Sequence, residues 1–192
     1  MPRHRGDHKV IVVPGFFGND WSTRPLRRVL AAAGYEPHGW GMGFNWGARP
    51  DTLDKVEALV ERVAGGDKVT LIGWSVGGVF TREIAKRRPD LVERVITLGA
   101  PVTGDPRSNN FWRVYERISG YPVDQPPVPV NTAEKPPVAT IALWSRRDGI
   151  ISAQCARCES GESDETVEVA CTHIGFMTCR RTAQVIVGLL PR

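Results

Sequence analysis

Residues Gly73-Trp74-Ser75-Val76-Gly77 fit the pattern G-x-S-x-G, which sets one serine on a sharp turn between two glycines. Such a serine is a candidate nucleophile. The apolar run Val69 to Ile72 before it suits a short strand, and Gly78-Val79-Phe80 after it leads into a helix-compatible stretch. A strand that turns straight into a helix strains the backbone at Ser75 and presents its hydroxyl. Gly73 and Gly77 remove the Cβ atoms that would hold strand and helix apart. The helix N-terminus behind Ser75 offers free N–H groups to a developing negative charge. Without chemistry, the same residues are a glycine-rich turn with a passive serine.

A serine hydroxyl is activated by a histidine that an acid orients, and with this motif the chain order is serine, acid, histidine. Of the four histidines, His4, His8 and His38 precede Ser75, which leaves His173. It follows the alternating run Thr166 to Val169, which suits a last strand. Asp90, Asp105, Asp124, Asp148 and Asp164 are the acids considered between Ser75 and His173. Asp148 stands out, because it follows the apolar run Val138 to Ser145 and precedes Gly149-Ile150-Ile151. Taken singly, His173 is an ordinary loop histidine and Asp148 a turn residue. The ordered set of three, each behind a predicted strand, carries the inference.

The elements that must hold these residues alternate along the chain. Lys9 to Val13 reads as a buried strand running into Pro14-Gly15-Phe16-Phe17-Gly18. Arg24 to Ala33 carries Leu26, Val29, Leu30 and Ala33 at helical spacing, with Pro25 in the first turn and Gly34 at the stop. Tyr35 to Gly41 suits a strand. Asp51 to Ala64 is an amphipathic helix with Asp51 as its cap, and Gly65-Gly66-Asp67 turns into the next strand. The helix after Ser75 runs to about Arg88, Leu91 to Leu98 forms a strand, and Thr178 to Leu190 a last helix. Strand alternating with helix predicts an α/β fold with a mostly parallel sheet of about six strands, its site at the strands' C-terminal edge. The whole chain, 1–192, reads as one domain with an irregular insert at 101–137. The insert's tail, Tyr121 to Pro137, has six prolines and should be extended and exposed. Phe111, Trp112, Val114, Tyr115 and Ile118 suit one short helix in its first half.

Composition fits a globular chain: 192 residues, 41% hydrophobic, 24% charged. The net charge of +4 is scattered among acids without a binding motif, which argues against nucleic acid. No apolar run approaches the ~18 residues of a membrane span. The polar start, Met1 to Lys9, lacks a signal-like apolar region, so a cytoplasmic location is expected.

Five stretches together resemble small bacterial α/β-hydrolases of the lipase and esterase type. They are Gly43-Phe44-Asn45-Trp46-Gly47, Leu71 to Gly78, Val95-Ile96-Thr97-Leu98-Gly99-Ala100-Pro101, Ser145-Arg146-Arg147-Asp148-Gly149-Ile150 and Thr172-His173-Ile174-Gly175. The resemblance spans nearly the whole chain. It implies the α/β-hydrolase fold with a minimal cap formed by the insert, and the loss of the two antiparallel strands that open larger relatives. It also implies a serine nucleophile (Ser75), an orienting acid (Asp148), a base (His173) and an acyl-enzyme route without metal or cofactor. Oxyanion donors would be the backbone amides of Phe16 and Val76, although Pro14-Gly15 stands where many relatives have His-Gly. Candidate pocket residues are Phe17, Trp46, Trp74, Phe111 and Trp112. A small-molecule ester is the expected partner. The same machinery serves acyltransferases and thioesterases, and a non-catalytic binding module is the third reading. So short a cap should leave an open cleft, taking acyl chains of about two to eight carbons without activation at an oil interface.

Cys155-x-x-Cys158, Cys171 and Cys179 complete the reactive residues. Seven residues separate the second pair, which argues against a zinc knuckle and favours free or disulfide cysteines. A Cys155–Cys171 disulfide would tie the acid loop to the histidine loop, as cysteines near both places in some relatives suggest. The oligomeric state is left open by the sequence.

Overall fold

The computed structural model describes residues 8–128 and 130–191. The polar start, including His4, lies outside them. Six strands form one sheet in the order β2-β1-β3-β4-β5-β6, and every neighbouring pair is parallel. They are β1 (Lys9–Val13), β2 (Glu36–Gly39), β3 (Val69–Trp74), β4 (Val92–Leu98), β5 (Ala139–Trp144) and β6 (Glu165–Glu168). The chain leaves β1 outward to β2 and returns to β3 on the other side of β1. The strand order therefore reverses between β1 and β3, and ligands of open α/β sheets bind beyond such a reversal.

Both faces of the sheet are covered, which is why β1 is apolar from Val10 to Val13. Val10 and Val12 pack with Leu26 and Leu30 of α1 (Asp20–Ala32) and Ile186 of α7 (Arg180–Gly188). Ile11 and Val13 face the other way, toward α2 (Thr52–Ala64) and α3 (Val76–Arg87). Strand alternation thus sorts one sequence into two cores.

Several predicted boundaries move, each for a local reason. Helix α1 begins earlier than expected because Asn19 caps it: Asn19 Oδ1 accepts from the Trp21 and Ser22 amides, and Ser22 Oγ accepts from Asn19 N–H. Pro25 consequently lies inside the helix rather than in its first turn. Strand β2 stops at Gly39 because the Asp20 carboxylate takes the Trp40 and Gly41 amides at 2.9 and 3.0 Å. Asp51 flanks α2 without capping it, its carboxylate pairing instead with Lys55 at 2.7 Å. The last helix, α7, starts at Arg180 rather than Thr178 because Cys179 is extended, and a short α6 (Gly175–Thr178) precedes it.

The insert after β4 holds a 3-10 turn (Pro106–Ser108) and α4 (Trp112–Ser119). Among its described residues the tail has no helix or strand but turns at Pro122–Gln125 and Asn131–Glu134 instead of running extended, and Val128, packed on the core, and Pro136 are buried rather than exposed. Helix α3 fastens the returning arm. Wholly buried Arg82 donates from Nη2 to the carbonyls of Thr132, Glu134 and Glu162, and Lys86 donates to Asn131 O at 2.8 Å. After β5 comes the short α5 (Ala153–Ala156).

Candidate active site

Ser75 ends β3 and begins α3 with φ 54 and ψ −128, a conformation that costs a non-glycine residue of order 1–3 kcal/mol. The surroundings hold it there. Ser75 N–H donates to Leu98 O at 2.9 Å, and Gly78 N–H to Ser75 O at 2.8 Å. The glycines act as predicted. A Cβ on Gly73 would collide with Gly78 and Thr81, and one on Gly77 would stand 2.6 Å from the carbonyls of Val13 and Pro14. A Cβ on Gly15 would press on Ser75 Cβ itself at 2.9 Å. The side chain of Ser75 caps nothing, and its Oγ makes no hydrogen bond among the described residues.

Asp148 and His173 meet directly. Asp148 Oδ2 lies 2.8 Å from His173 Nδ1, both residues being buried. The other carboxylate oxygen accepts from the Ile150 and Ile151 amides at 2.9 and 2.7 Å, and His173 N–H donates to Asp148 O at 2.9 Å. The carboxylate is thus aimed by its own loop. Of the other acids considered, Asp90 pairs with Arg88, Asp124 with Arg107 and Asp164 with Lys135, while Asp105 accepts from the Arg107 amide. None competes for His173.

No hydrogen bond joins Ser75 to His173 among the described residues; their connection runs through Trp74. The Trp74 Nε1–H donates to His173 O at 3.1 Å, and the two rings pack with centroids 5.4 Å apart. Phe176 closes the other side of the imidazole at 6.3 Å. Sequence reading also missed Ser145, whose Oγ donates to Cys171 O at 2.6 Å and so braces the acid loop against the histidine loop.

Phe16 and Val76 both line the same cavity, and neither amide donates to a protein acceptor among the described residues. Asn45 sets the loop that carries Phe16. It is wholly buried, accepts the Phe17 amide at its backbone carbonyl (2.7 Å), donates from Nδ2 to Pro14 O (2.8 Å), and takes the Gly47 amide at Oδ1 (3.0 Å). The stretch Gly43 to Gly47 was a motif in the sequence, yet nothing there marked Asn45 as a clamp.

The cavity, about 300 Å³, starts at Ser75 and runs beneath the insert. Phe111 and Trp112 line it, with Phe16, Val79, Tyr115 and Ile151. The other three pocket candidates do not. Trp74 points to the opposite face of the sheet with Ile72 and packs under His173. Phe17 and Trp46 meet edge to face at 5.2 Å on the outer surface. The serine is 9% exposed, deeper than so short an insert led us to expect. Tyr115 and Tyr121 join by their hydroxyls and meet the Ala48 amide, tying α4 to the segment beyond Asn45.

All four cysteines are thiols, so the Cys155–Cys171 bridge is not formed. Burial pushes the Cys158 thiol up to about 11. Among the described residues, no group of three or more His, Cys, Asp or Glu side chains is placed to hold a metal.

A doubly covered parallel sheet with its strained serine after the third strand defines the α/β-hydrolase class. Comparison with known families agrees: residues 6–178 match the model of the alpha/beta hydrolase fold, and the chain belongs to that family. The human serine hydrolase BPHL is 26% identical over 112 residues, which are 50% of this chain and 36% of that protein. The chain spans well under half the length of the curated relatives it matches. Among solved structures, polyneuridine aldehyde esterase superposes with a TM-score of 0.66 at 13% identity, covering 94% of this chain and 98% of that one. The monoacylglycerol lipase of Paleococcus ferrophilus gives 0.65 at 18% identity, covering 94% and 92%. At such identities the likeness is one of fold.

Proposed function

We propose that the protein is a serine hydrolase of carboxylic esters with short to medium acyl chains. The observation that carries this is the buried Asp148–His173 pair, packed through Trp74 against the strained, unengaged Ser75. With Nδ1–H donated to Asp148, the imidazole keeps Nε2 as the acceptor for the serine proton. Ser75 Oγ attacks the acyl carbon as His173 takes its proton, and the oxyanion forms against the Phe16 and Val76 amides. Collapse expels the alcohol, which takes the proton from His173 and leaves the acyl group on Ser75. Water, deprotonated by the same histidine, then releases the acid.

The cavity supports the acyl specificity. Its wall is mostly aromatic and aliphatic and its length is finite, so each methylene that fits adds about 0.8 kcal/mol and further ones add nothing. A panel of nitrophenyl esters from two to sixteen carbons, combined with fluorophosphonate labelling, tests the reading. Turnover should peak at or below about eight carbons, and labelling should vanish in Ser75→Ala. Labelling that persists in that variant would refute the assignment.

A further inference from the structure

Exposed large apolar side chains are not spread evenly over this molecule. Phe17 and Trp21 follow β1, Phe44 and Trp46 follow β2, Val114 and Ile118 lie in the insert after β4, and Ile174 follows β6. In an all-parallel sheet these segments leave the same edge, the one that carries Ser75 and His173. Among the described residues only Val185, on α7, lies elsewhere. Trp21 is 76% exposed, Ile174 62% and Phe44 53%, values that a folded core does not require. The rings are contiguous: Phe44 meets Trp46 at 5.7 Å, Trp46 meets Phe17 at 5.2 Å, and Phe17 reaches Phe111 at the cavity at 6.5 Å. Phe17 is held outward at φ 59, in the left-handed region that favours glycine.

Charge on this rim leans positive by a narrow margin, Arg24, Arg49, Lys55, Arg107, Arg113 and Arg117 standing against Asp20, Asp51, Asp105, Glu116 and Asp124. Arg24, Arg49, Arg113 and Arg117 are exposed and make no ion pair among the described residues. The acids beside them are engaged: Asp51 with Lys55, Glu116 and Asp124 with Arg107, Asp20 with two backbone amides. Helix α4 turns Trp112 and Tyr115 into the cavity, while Val114, Ile118, Arg113 and Arg117 face solvent as adjacent stripes. Arg24 lies over the Trp21 ring at 5.2 Å, and Arg113 over Trp112 at 4.9 Å.

We propose that this rim docks the protein on an anionic lipid surface, with the cavity mouth facing the headgroups. Indole and phenyl rings interleaved with unpaired arginines match a layer that offers apolar carbon and phosphate together. This goes beyond the ester hydrolase reading and runs against the sequence-based expectation of indifference to interfaces.

The test is sedimentation with ether-linked vesicles, which the protein cannot hydrolyse. One set is phosphatidylcholine alone; the other contains about one-third phosphatidylglycerol. The full chain should sediment with the anionic set, and added salt should release it. Arg113→Ala with Arg117→Ala should weaken partitioning about 30-fold, and Trp21→Ala with Phe44→Ala should weaken it further, while turnover of a short soluble ester is unchanged. Failure to bind either vesicle overturns the proposal and turns the rim toward an acidic protein partner. Binding that the arginine variant retains in full overturns it as well. Absence of ester turnover would refute the hydrolase reading alone, because sedimentation needs no catalysis.

Discussion

A Cβ placed on Gly99 would stand 2.7 Å from Asp148 Oδ2, the same oxygen that holds His173. The position also has φ 54. Gly99→Ala should therefore push the carboxylate off the imidazole without removing any reacting group. Turnover of a short ester is expected to fall about 100-fold, the scale of a 1 Å misplacement, with far-UV dichroism unchanged. Full activity in this variant would mean that the Asp148–His173 geometry does not govern the rate.

The three side chains proposed to react should behave as one unit. Ser75→Ala and His173→Ala are each expected to remove nearly all turnover, and the double variant to lose little more. Asp148→Asn keeps the shape but reverses the tautomer preference of the imidazole, for an expected loss of roughly 10⁴ in kcat. Losses that simply add across the double variant would count against a shared step.

Val79 lines the cavity on α3, one turn beyond Ser75. Val79→Phe should fill part of the space where acyl carbons extend. The ratio of kcat/KM for eight-carbon over two-carbon esters should drop by about 4-fold per methylene excluded, while the two-carbon ester is spared. A ratio that does not move would place the acyl chain elsewhere.

The thiols should differ sharply in reactivity. Backbone and side-chain hydrogen bonds from Thr182 hold half-buried Cys179 below the usual thiol range, whereas burial raises Cys171 and Cys158. Iodoacetamide at mildly alkaline pH should modify Cys179 first and Cys158 last, as read by peptide mass spectrometry. The Cys158 thiol, raised from 9.0 to about 11, favours the folded state fully below pH 9. That contribution disappears as pH climbs toward 11, so the denaturation midpoint should fall over this window, less steeply in Cys158→Ala.

Strands and the serine turn were legible in the sequence because they rest on local rules: apolar runs, glycine spacing and helix periodicity. The pairing of Asp148 with His173 was legible because strand ends and chain order narrow the options. What escaped depends on contacts between distant residues. Asn45 clamps a carbonyl 31 positions away, and Ser145 braces one 26 positions away. Trp74 could have been placed correctly, since alternation in β3 puts it with Ile72 on the face away from the cavity. Phe17 and Trp46 were drawn into the pocket by ring type alone, and no sequence signal reports the φ of 59 that turns Phe17 outward.

The grip of Arg82 and Lys86 on residues 131–134 has a kinetic meaning. Both donors sit on the helix that Ser75 begins, so the returning arm of the insert and the serine move as one body. Motion that widens the cavity would then fall to the segment between Gly104 and Val128, which is held to Ile150 and Gly149 through Asn110 and to Ala48 through Tyr121 and must break those bonds to open. Amide exchange should follow that division, with Asn131, whose N–H donates to Glu83 on α3, slower than the unbonded amides before Val128.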